Sequence, residues 1–93
     1  MNQTIWKYSI SIHSMEILMP AGAKILCVKN QQGYPKYQNM IWALVDPRRN
    51  VVPRLIQVSG TGFDNSEIIF GPYIGTVIID GGTVWHYFDG GEE

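Results

Sequence analysis

Four cations and one small-residue run are the groups in this sequence with binding chemistry to offer. Lys24, Arg48, Arg49 and Arg54 suit phosphate oxygens, because lysine brings a point charge and arginine a two-pronged fork. Tyr34 and Tyr37, with Trp6 and Tyr8, present flat faces on which a base stacks. The backbone amides of Gly60-Thr61-Gly62 have no bulky side chains to keep an anion away. Together these groups describe a site for a small anionic nucleotide. Each has a plainer reading beside it. Gly60-Thr61-Gly62 lacks the GxxxxGK[ST] frame and a following helix, so it reads more readily as a strand terminator than as a phosphate loop. Aromatic residues are the usual large fillers of a small β core, and scattered cations are the usual solvated surface.

Catalytic chemistry has less to stand on. Ser59, His86 and one of Asp64, Asp80 or Asp89 are the raw materials of a nucleophilic triad, yet no GxSxG elbow surrounds Ser59. His86 alternates with Trp85 and Tyr87 as a strand residue does. His13, His86 and the single Cys27 are isolated from one another, so no zinc ligand set, no intramolecular disulfide and no cofactor are expected. The sequence favours binding over turnover.

The net charge of -1 conceals an asymmetry. Residues 1–54 hold all seven Lys and Arg against Glu16 and Asp46, a balance of +5, whereas residues 64–93 hold six carboxylates and no cation, a balance of -6. Solvated faces with a frayed acidic tail over 89–93 account for this, as does a basic ligand site or a pair of complementary subunit surfaces. The balanced total and the absence of a recognition helix speak against duplex DNA. Apolar runs are of strand length, so neither a signal peptide nor a membrane span is expected, and a cytosolic location follows.

The elements that must position these residues all read as strands. Ile5–Ile12 alternates, with Trp6, Tyr8, Ile10 and Ile12 on one face. Met15–Met19 follows and is stopped by Pro20-Ala21-Gly22. Ala23–Lys29 has Ala23, Ile25 and Cys27 on one face and Leu26 and Val28 on the other, which predicts a buried, inert Cys27. Asn39–Val45 carries Trp42, expected in the core, and Arg54–Ser59 is the fifth strand. Residues 63–72 read as a loop pinned by Phe63 and Phe70, with one helical turn as the alternative. Tyr73–Phe88 is the clearest hairpin, turning at Asp80-Gly81-Gly82. Both faces of its first run are apolar, which predicts a central hairpin covered on both sides, by the preceding residues or by another copy of the chain. Seven short antiparallel strands in one domain over 1–93 make an all-β sandwich or small barrel. At 93 residues such a domain buries about 60–65% of its unfolded surface, so stability is modest.

The set Ile5-Trp6-Lys7-Tyr8, Met19 to Leu26, Trp42 to Pro47, Gly60-Thr61-Gly62, Tyr73 to Val77 and Val84 to Phe88 resembles an uncharacterised family of small tailed-bacteriophage proteins. The resemblance spans nearly the whole chain and carries no functional residues with it. It implies an accessory protein made in the cytoplasm of an infected bacterium, a group often directed against host defence. Taken with the residues, the leading expectation is an anti-defence protein that sequesters a small anionic nucleotide signal and forms a homo-oligomer. The alternatives are a protein-protein inhibitor of a host defence complex, a phage structural or assembly accessory, and a small phosphodiesterase.

Overall fold

A computed structural model of the chain describes residues 3–31, 38–79 and 81–93. Seven strands follow in order: β1 (Thr4–Ile10), β2 (Met15–Pro20), β3 (Lys24–Gln31), β4 (Gln38–Val45), β5 (Val51–Gly60), β6 (Tyr73–Ile79) and β7 (Thr83–Glu92). They form two antiparallel sheets, β1-β4-β3 and β2-β5-β7-β6, with no helix among the described residues. The all-β expectation of seven antiparallel strands therefore holds. Residues 63–72 form a loop, and Phe63 and Phe70 do pin it: Phe63 meets Trp85 edge-on at 5.5 Å and Phe70 lies 4.3 Å from Phe88.

Alternation along the strands sets the core. Ile41, Ala43 and Val45 of β4 face Ile10, Val28, Ile17, Met19, Ile56, Val77 and Tyr87 in one buried cluster. Trp42 is one step out of that phase, so it stands half-buried on the outward face, not in the core as predicted. In β3 the alternation breaks. A bulge between Ile25 and Cys27 places two residues opposite one on β4, so Ile25 and Val28 both turn toward the core and Cys27 turns away, half-buried. The buried Cys27 is thus corrected by a feature that strict alternation cannot contain.

The hairpin at 73–88 forms, but only its second arm is internal. β6 is the outer strand of its sheet, and Ile78 is 68% exposed. Its inner face is covered within the same chain by β3, which crosses so closely that a Cβ on Gly75 would lie 2.9 Å from Val28 Cγ1. The expected frayed tail is likewise ordered into β7, whose Asp89 and Glu92 pair against β5.

Two polar clusters bind the sheets together. Tyr87 of β7 donates its hydroxyl proton to Ser11 O (2.9 Å) and accepts from Asn39 Nδ2 (2.8 Å), while Asn30 Nδ2 donates to Asn39 Oδ1 (2.9 Å). Burial pushes the Tyr87 hydroxyl above its ordinary pKa, partly offset by the Asn39 hydrogen bond. At the other end, Arg54 of β5 donates to both Asp89 oxygens (2.9 and 2.6 Å) and to Ala23 O (2.8 Å).

Candidate anion-binding face

Four of the cations and the glycine run expected to form one site are divided by the length of β5. The turn holding Arg48 and Arg49 precedes Val51, and Gly60 ends the strand nine residues later, a span of about 30 Å at roughly 3.3 Å per residue. No small nucleotide reaches both. Lys24 and Arg49 do share an end of the molecule, since Arg49 Nη1 comes within 3.9 Å of the Cβ position of Gly22. Neither has an acidic partner among the described residues. Arg48 is engaged by Asp46 through Nε and Nη2, both at 3.1 Å, an exposed pair that draws the Asp46 carboxyl below the usual carboxylate range.

Arg54 is not available to a ligand. Asp89 takes Nε and Nη2, Ala23 O takes Nη1, and Glu92 stands 3.7 Å from Nη1. Its guanidinium is an internal staple, which corrects its assignment to a phosphate. In the glycine run, Thr61 N–H is already committed to Val84 O, and Gly60 O accepts from Phe63 N–H. Tyr34 and Tyr37 lie outside the described residues.

What the fold does assemble is the outward face of β1-β4-β3. Trp42 sits at its centre, with Lys7 directly opposite on β1 and Cys27 opposite on β3. Lys24 pairs with Leu44 and Lys29 with Met40, so these two lysines lie one two-residue step to either side of the Trp42 row. Lys29 is five positions after Lys24, an odd spacing that alternation sends to opposite faces. The bulge restores them to the same side, and both are exposed. Lys7 Nζ donates to Gln31 Oε1 at 3.1 Å, which holds its ammonium over the sheet. None of the three strands contains Asp or Glu. Lys7 and Lys29 were not among the expected site residues. Lys7 was legible from its alternation with Ile5 and Ser9, while Lys29 was hidden by the bulge.

The triad components are also apart in role. His86 Nε2 meets Thr61 Oγ1 at 2.8 Å and Nδ1 meets Thr76 Oγ1 at 3.1 Å, so both ring nitrogens are occupied by hydroxyls. Ser59 Oγ donates to Asn65 Oδ1 (2.8 Å). Asp89 is held by Arg54, Asp64 accepts from Ser66 N–H (2.9 Å), and Asp80 lies outside the described residues. Among the described residues no carboxylate is bonded to His86.

Residues 1–93, the whole chain, match a family described as a domain of unknown function, DUF7352. The chain belongs to that family. No curated protein and no solved structure matches it.

Proposed function

We propose that this DUF7352 member acts by binding an anionic nucleotide on the outward face of β1-β4-β3, without turning it over. The observation that supports the reading is one aromatic ring, Trp42, set among Lys7, Lys24 and Lys29 on strands that hold no carboxylate. A base stacked on an indole gains about 1–3 kcal/mol, and the ammonium groups answer the phosphates from strands that carry no carboxylate of their own. The resemblance to small tailed-bacteriophage proteins supplies the setting: sequestration of a nucleotide signal of bacterial immunity in the host cytoplasm. In the test, a cyclic or ADP-ribose-type nucleotide disappears from the free pool on mixing with the protein. It returns chemically intact after heat denaturation, and Trp42→Ala abolishes the uptake. Return of a cleaved product would replace this reading with the phosphodiesterase.

A second reading is a protein contact, inhibitory or assembling, and exposed apolar residues favour it. Leu18 is 64% and Val51 57% exposed on the outward side of β2 and β5, where Pro53 pairs with Leu18. We propose that this strip is where the chain associates with a second copy. A host defence protein held there in its place is the alternative occupant.

A further inference from the structure

The outward face of β2-β5-β7-β6 carries two apolar features of opposite shape, one toward each end of β5. At the Val51 end lies the bare strip of Leu18, Val51 and Pro53. At the Gly60 end the 63–72 loop folds back onto the face. Gln57 and Phe88 point outward there, because their neighbours Ile56 and Tyr87 are in the core, and the loop is fastened to both. The loop projects a knob: Ile69 is 92% exposed, more than any other large hydrophobic residue among the described ones, and Ile68 beside it is exposed as well.

That knob is firmly held. Ser66 N–H donates to Asp64 Oδ1 (2.9 Å) and Ile68 N–H to Asn65 O (3.0 Å). Gln57 donates to Ile69 O and accepts from Gly71 N–H, both at 2.9 Å, and Asp89 N–H donates to Pro72 O at 2.8 Å. Gly71 lies flush on β7, where any Cβ would collide with the Asp89 carbonyl. With the backbone fixed on both sides of it, Ile69 meets a partner at little further cost in chain entropy. Between knob and strip the face is low, because Leu55 lies across Gly90, with its Cγ 2.8 Å from where a Cβ would stand.

From these shapes we infer that what covers the strip is the 63–72 loop of a second copy, each copy seating Ile69 on the other's Leu18 and Val51. The inference rests on the self-association proposed above for that strip and names the element that enters it. A two-fold axis crossing β5 near Leu55 exchanges the ends of the face, so both knobs and both strips are covered at once and the pair closes. The knob cannot fill its own strip: Gln57, which holds Ile69, is four positions from Pro53 and six from Val51, about 13–20 Å along an extended strand. Four strands and a ten-residue β5 give a face of about 600 Å², hence about 1,200 Å² buried in the pair, the lower end of a stable interface. Asp64 and Glu67 border the knob, while the strip end holds Arg48 and Arg49 against Asp46 and Glu93, so apolar shape carries the contact more than charge does.

Thiol cross-linking on a Cys27→Ser background tests this. Chains carrying Ile69→Cys are mixed with chains carrying Leu18→Cys, left to exchange and treated with a short bis-maleimide, and each variant is also treated alone. A cross-linked dimer is expected in the mixture and in neither variant by itself. In light scattering Ile69→Asp should weaken the dimer by about tenfold or more without lowering Tm, since Ile69 is exposed. No cross-link in the mixture, or a dimer of twice 10.5 kDa that Ile69→Asp leaves intact, would overturn the inference. Leu18→Cys cross-linking only with itself would overturn it while upholding the strip, and a parent mass of 10.5 kDa would remove both.

Discussion

Arg54 and Asp89 show how one residue's burial decides its role. Their side chains are only 11% and 17% exposed, and removing one partner from such a pair leaves an uncompensated buried charge at a cost of about 3–5 kcal/mol. Arg54→Ala should therefore lower Tm by more than about 10 °C in a domain of this size, while leaving nucleotide uptake per folded molecule unchanged. Thermal denaturation followed by circular dichroism checks the first part. Unchanged Tm would mean the staple is idle. The hydrogen bonds from Arg54, more than any other cause, hold the Asp89 carboxyl below the usual carboxylate range. A depressed folded pKa means that this stabilisation is full above the unfolded value near 4 and is lost as pH falls through the folded value. Asp89→Asn should accordingly be less stable than the parent at pH 7, with the gap narrowing below about pH 4. Tyr87→Phe makes a related point. It strips Asn39 Nδ2 of its acceptor and should cost about 1–3 kcal/mol, measured by urea denaturation.

At the scale of the element, what was legible in the sequence was whatever obeys the period of two. The seven strands, the hairpin at 73–88 and the pinned loop at 63–72 all follow from alternation and turn residues. The departures follow from bulges and crossings, which depend on a partner strand. One extra residue near Leu26 turned Cys27 outward and brought Lys29 onto the same face as Lys24. The candidate site was misread for two further reasons: the extended β5 holds the Arg48–Arg49 turn and Gly60 far apart, and Arg54 is taken by Asp89 of the neighbouring strand. Gly75 marks the crossing of β3 over β6. Gly75→Ala should destabilise by roughly 1–3 kcal/mol, since Val28 Cγ1 is stiff and buried and cannot withdraw. Val28→Ala in the same chain should recover part of the loss. A double variant whose loss equals the sum of the two single losses, measured in urea, would show that the two side chains do not meet.

For the whole molecule, the two outward faces differ in chemistry, and the proposed self-association is assigned to the strip around Leu18 and Val51. Multi-angle light scattering at micromolar concentration should give a mass above 10.5 kDa. Leu18→Asp should return the mass to that of one chain without lowering Tm, because Leu18 is exposed. Val77→Asp, by contrast, should unfold the chain, because Val77 is in the core. A parent mass of 10.5 kDa alone would remove the association.

The central claim is that an anionic nucleotide lies on the lysine-flanked face around Trp42, and amide and indole chemical-shift mapping during a nucleotide titration tests it most directly. The account predicts shifts concentrated at Lys7, Cys27, Lys29 and the Trp42 indole. They should weaken steeply as salt is raised and vanish when Lys7, Lys24 and Lys29 are replaced together by Ala. Shifts confined to Arg48, Arg49 and the neighbouring turn, or none on β1, β3 and β4, would contradict it.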